Sequence, residues 1–127
     1  MDAFRADRER KFVRDVARYL RDRFPGAVAG LDDAELERRG LLGLARGRKH
    51  GLSDEQSLLS FISLMFRFAP NFDEHPRLGA VLRASGEPPG LRFQRMTALA
   101  TEADWEEVQR GRDESAWEEG ACSSRRP

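Results

Sequence analysis

One stretch limits the fold of this chain more than any other: Ser53 to Phe68, SDEQSLLSFISLMFRF. Ser53 followed by Gln56 has the form of a capping box, in which the serine hydroxyl takes the third helical N–H and the glutamine side chain reaches back. After it come Leu58, Leu59, Phe61, Ile62, Leu64, Met65, Phe66 and Phe68, apolar on nearly every side, with Ser57, Ser60, Ser63 and Arg67 as a narrow polar stripe. A helix of this kind belongs in the middle of a bundle. It is also shorter than the roughly 20 residues that a bilayer span requires. The pattern predicts a central core helix over about 54–68.

The flanking segments read as its cover. Phe12, Val13, Val16, Ala17, Leu20 and Phe24 recur at helical spacing, so residues 3–24 form an amphipathic helix that Pro25 ends. Asp32 and Glu35 repeat the capping pattern, with Leu31 and Leu36 placed as a hydrophobic staple, and start a second helix over about 33–50. Gly40, Gly43 and Gly47 share one face of that helix. Each interior glycine costs about 1 kcal/mol relative to alanine, so the stripe implies a groove for bulky side chains, from this chain or from a partner. Gly51 and Leu52 suit a Schellman ending, and the short connection HGLS makes residues 33–68 an αα-hairpin.

Downstream, Ala69-Pro70 stops the core helix, and APNFDEHP reads as a polar corner around Phe72. Asp73 or His75 can cap a short helix over 76–84, with Pro76 in its first turn. Gly86-Glu-Pro-Pro breaks the chain before a segment at 90–99, and Thr101 with Asp104 caps a last acidic helix over 102–110. The expectation is an all-α, compact bundle of five or six helices around the hydrophobic one. A single domain fills 1–110, and 111–127 is a polar, flexible tail in which Trp117 stands alone.

Lys plus Arg and Asp plus Glu both number 22, so the net charge is zero and nucleic acid is not the expected partner. The charge is uneven along the chain: residues 1–23 carry eight basic and five acidic groups, and residues 102–119 carry two basic and eight acidic. A basic helix ending in Arg46, Arg48 and Lys49 before a tight turn outlines a helix-turn-helix, but the following helix would have to read bases with Leu, Phe, Ile and Met. A DNA-binding regulator is therefore a subordinate reading. The single cysteine, Cys122, cannot form a disulfide within one chain, and the N-terminus has no apolar run of the secretory type. A cytoplasmic protein with no membrane span is expected.

The residues of catalysis are thinly spread. His50 and His75 each lie at a predicted helix end, no G-x-S-x-G elbow surrounds the serines, and there is no P-loop, dinucleotide or zinc pattern. Asp73, Glu74 and His75 are metal-ligand types, but consecutive residues point in different directions. No catalytic, cofactor-binding or metal residues are assigned, and the chain reads as a binder, not an enzyme.

The order Tyr19-Leu20-Arg21-Asp22-Arg23-Phe24-Pro25, Ala45, Lys49-His50-Gly51-Leu52-Ser53-Asp54-Glu55, Phe61, Pro70-Asn71-Phe72-Asp73-Glu74-His75-Pro76 and Leu82 resembles a group of small all-helical proteins. These are encoded beside the spike, PAAR-type tip or effector genes of bacterial type VI secretion systems, and the resemblance covers about residues 12–95. It implies a non-enzymatic adaptor or chaperone-like accessory that binds an effector or a spike or tip protein. An immunity protein that neutralises a toxic effector is the alternative. The side chains expected to touch a partner protein are Phe66, Arg67, Phe72, Phe93 and Trp105, since aromatics and arginines dominate interface energetics.

Overall fold

A computed structural model describes residues 2–118, with side chains from residue 6 onward. Six α-helices occupy them: α1 (Asp2–Arg23), α2 (Asp33–Lys49), α3 (Glu55–Arg67), α4 (Pro76–Leu82), α5 (Pro89–Leu99) and α6 (Glu102–Arg110). Single 3-10 turns lie at Pro25–Val28, Phe72–Glu74 and Glu114–Trp117, and the described residues contain no strand. The chain is an all-helical bundle. Helix α3 is its centre, with Phe61, Ile62 and Met65 wholly buried among Val13, Val16 and Leu20 of α1, Leu36 and Leu44 of α2, and Leu78, Phe93 and Met96 from the later helices.

Most boundaries follow from caps. The Asp32 carboxylate accepts the Glu35 N–H at 2.8 Å, and Thr101 and Asp104 form a complete reciprocal box at the start of α6. Helix α2 ends in a Schellman motif. Leu52 N–H donates to the Gly47 carbonyl at 3.2 Å and Gly51 N–H to that of Arg48 at 2.9 Å, with Gly51 at φ +88°. Two details depart from expectation. Helix α3 is capped by Asp54, which accepts the Ser57 N–H at 2.9 Å, and not by the Ser53–Gln56 box. Aspartate caps as well as serine does and adds a negative charge at the positive end of the helix dipole. Glu35, for its part, does not reach back to its cap. Its carboxylate accepts from Arg38 and Arg39 at 2.6–3.0 Å, because two guanidinium forks outbid one backbone N–H.

The glycine stripe of α2 is filled from within the chain. A Cβ at Gly40 would lie 2.5 Å from Val13 Cγ1 of α1. At Gly43 it would meet Ile62 and Met65 of α3 at 3.1 and 3.2 Å, and at Gly47 Leu58 Cδ2 at 2.9 Å. The stripe thus seats two helices at once, which is the return on three costly glycines.

The polar 69–76 corner is partly buried. Ala69, Pro70, Phe72 and Asp73 are buried, and Asp73 ties the corner to α2. Its carboxylate accepts Arg46 Nε and Nη2 at 2.8–3.0 Å and lies 2.8 Å from His50 Nε2. Burial by itself would raise the Asp73 pKa; the hydrogen bonds from His50 and Arg46, with the Arg46 charge, outweigh it and hold the group below the ordinary carboxylate range. The segment read as a tail also begins inside the fold. Trp117 is 1% exposed, with its ring 4.8 Å from that of Phe66 and under the Arg39 guanidinium at 5.2 Å, and its carbonyl accepts Arg38 Nη1 at 2.7 Å. One aromatic in one 3-10 turn has no periodicity to betray it. Residues 119–127, including Cys122, lie outside the described residues.

Candidate functional site

Helix α3 is covered unevenly. On the side opposite α2, its polar stripe floors a groove of about 520 Å³. Ser57, Ser60 and Ser63 run along the floor, with half-buried Leu59 beside them and Arg67 at the far end. Tyr19 and Phe24, from the end of α1, make one wall. Phe93, Gln94 and Thr97 of α5 make the other, and Trp105 of α6 closes the end near Phe68. The Phe68 and Trp105 rings are stacked, 4.4 Å between centroids and 19° between planes.

Each wall has a local cause. Pro25 ends α1 and turns the chain, leaving Tyr19 and Phe24 edge-to-face at 6.1 Å. Phe93 and Met96 anchor α5 in the core, so Gln94 and Thr97 turn to the groove while Leu91 and Leu99 face solvent, 49% and 47% exposed. Ser63 Oγ donates to the Leu59 carbonyl at 2.8 Å, which satisfies a buried hydroxyl inside the helix. At the α3 N-terminus, hydrogen bonds from the Ser57 backbone and side chain hold the Asp54 carboxyl below its ordinary pKa.

A second cleft of about 510 Å³ adjoins this one, lined by Phe24, Gly26, Ala27, Phe66, Arg67, Phe68 and Arg112. Arg67, Phe24 and Phe68 belong to both, so the two clefts meet at the guanidinium of Arg67. No family model, curated protein or solved structure matches this chain. Its geometry is therefore the guide to its chemistry.

The five side chains expected at a partner interface separate cleanly. Arg67 is exposed, and it lines the groove together with half-buried Trp105 and the edge of Phe93. The Phe93 ring itself is 3% exposed and packs on Phe61 at 5.9 Å. Phe66, at 3%, has its ring against Trp117 and only borders the second cleft. Phe72 is core, held between Phe61 at 4.9 Å and Trp105 at 6.1 Å, and lines neither cleft. Tyr19, Phe24, Leu59, Ser60 and Phe68 were missed. The sequence signal for them was the serine stripe, whose position along α3 was evident but whose exposure depends on how far off α5 is held.

Histidines and carboxylates do meet, away from the groove. His75 Nδ1 accepts the Leu78 N–H at 3.3 Å, capping α4, which leaves the ring proton on Nε2 to donate to Glu107 Oε1 at 2.7 Å. His75, Asp104 and Glu107 place one potential metal-ligand atom each within 4.8 Å of one another. Both Asp104 oxygens, however, accept from Arg77 at 2.8–3.2 Å, and Oδ2 also takes the Thr101 N–H at 2.9 Å. The trio is a clamp between α4 and α6 in which both His75 nitrogens and both Asp104 oxygens already have partners.

Proposed function

We infer that this chain is a non-enzymatic adaptor that holds a segment of another protein in the α3 groove. One observation carries the reading: a groove floored by hydroxyls, with Tyr19 and Phe24 on one side, the Phe68–Trp105 stack at one end and Arg67 between them. Rings beside small polar groups are what a peptide needs, apolar area for anchors and partners for polar edges. The lining holds no histidine, cysteine or lysine, and its one carboxylate, Asp54, is engaged in capping α3. Of the three basic groups on which a DNA-binding reading leaned, Arg46 is bound to Asp73 and Glu74 and Arg48 to Glu9 at 2.6 Å, which leaves Lys49. Among the described residues no helix is long and apolar enough to cross a membrane, in keeping with a partner met in solution.

The resemblance to accessory proteins of type VI secretion gives the partner class: an effector or a spike or tip component, bound before export. Co-expression of the full chain with the proteins that its neighbouring genes encode tests this, an effector, spike or tip protein being expected among them. One of them is expected to copurify with the native chain and to be lost with Ser60→Trp, which fills the groove from its floor. Copurification undiminished by Ser60→Trp would move the interface off the groove, and retention of none of these proteins would end the secretion reading.

A further inference from the structure

Arg67 differs from several other arginines of the fold. Arg38, Arg39, Arg46, Arg48 and Arg77 each bind a carboxylate. Arg67 has none among the described residues; its guanidinium carbon instead lies 4.2 Å from the Phe24 ring centroid and 5.1 Å from that of Phe68. Rings restrict the faces of the guanidinium and leave its N–H edge to a planar, two-oxygen acceptor. A guanidinium presents its donors as a rigid planar fork, so an incoming carboxylate meets a partner of fixed shape.

The other end of the groove has the opposite sign. Asp54 lies 13 residues before Arg67, about 20 Å away at 1.5 Å per residue. Its charged form is favoured by the Ser57 hydrogen bonds. A helix laid antiparallel to α3 would bring its N-terminal turn, where Asp and Glu are favoured, to Arg67. Its C-terminal turn, where Lys and Arg are favoured, would come to Asp54. Short side chains at Ser57 and Ser60 let such a helix come close, and the Phe68–Trp105 stack offers a flat apolar surface beside the arginine. We propose that the groove receives an amphipathic helix of the partner protein, antiparallel to α3, with an Asp or Glu of its first turn held bidentately by Arg67. This rests on the docking reading above and adds to it the chemistry and direction of the bound segment.

The probe is a phage-displayed library of peptides of about 14 residues, long enough as helices to span the groove. It is selected in parallel on the full native chain, on Arg67→Gln and on Ser60→Trp. The native chain is expected to enrich peptides with an acidic residue in the first turn, and Ser60→Trp to lose them. Replacing that residue by its amide should weaken binding to the native chain about tenfold or more, the worth of a charge-assisted pair, and leave binding to Arg67→Gln unchanged. Arg67→Lys, which keeps the charge without the fork, should fall between the two. Peptides that need an open Ser60 floor but show no acidic preference, or show it only in the last turn, overturn the inference and leave the docking reading standing. If no selected peptide is sensitive to Ser60→Trp, both fall.

Discussion

The two long faces of α3 solve opposite problems. Toward α2, Gly43 and Gly47 remove every side-chain atom between the helices, so that Leu58, Phe61, Ile62 and Met65 rest almost on backbone. Toward α5, Ser57, Ser60 and Ser63 are small as well, yet among the described residues no side chain fills the space they leave, and a groove results. Small residues alone therefore do not decide whether two helices close. The tight face is closed by large side chains aimed into the glycines and by the Arg46–Asp73–His50 tie across α2 and the corner. The open face has rings in its walls and at its Arg67 end, and hydroxyls along its floor.

Breaking the tie on the tight face should have the largest effect. Asp73→Asn takes away the buried counter-charge of Arg46 and leaves it only the exposed Glu74 carboxylate at 3.0 Å, so urea unfolding should show a loss of at most about 3–5 kcal/mol. The same group contributes to the response to acid, together with Glu35 and Asp104, whose carboxyls are also held below the ordinary range by arginine hydrogen bonds. The folded pKa of Asp73 is lowered, so its contribution is complete above the unfolded value of about 3.9 and disappears as pH falls through the folded value. Unfolding midpoints measured from pH 6 to pH 3 should stay level and then drop, and the drop should shrink in Asp73→Asn.

The glycine contacts come next. Gly40→Ala would put a methyl 2.5 Å from a β-branched Val13 that is buried and cannot rotate away, and about 1–3 kcal/mol should be lost despite the better helix propensity of alanine. Gly43→Ala should cost less, because its two nearest neighbours, Ile62 Cγ1 at 3.1 Å and the flexible Met65 thioether at 3.2 Å, lie farther off than Val13 does from Gly40 and need give only slightly. Equal losses at the two positions would contradict the contacts seen here. Thr101→Ala, which opens the capping box of α6 behind Trp105, should cost about 1 kcal/mol. Smallest of all, Ser60→Ala on the open face should alter stability by no more than about 0.5 kcal/mol. A larger loss would mean that the groove floor is structural.

The skeleton of this contrast could be read from residues. Leu58 through Phe68 marked the central helix, Gly51-Leu52 its hairpin, and Asp32 and Thr101 the starts of two others, because caps and apolar spacing act within a few residues of themselves. The features that escaped depend on distant partners. Asp73 looked like a helix cap until Arg46, 27 residues earlier, reached it. Trp117 looked like tail until Arg38, Arg39 and Phe66 surrounded it. The groove is harder still. Phe24, Leu59, Phe68 and Trp105 all carry the signature of core residues, and only the stance of α5 leaves them half-covered.

The placement of the two tryptophans gives the molecule a pair of built-in fluorophores with separate duties. Trp117, sealed from solvent, should emit toward the blue and report global melting. Trp105, stacked at the groove's edge, is positioned to register an arriving guest. A Trp117→Phe background would isolate the second signal and a Trp105→Phe background the first, so occupancy and integrity can be followed in the same cuvette without attaching a dye.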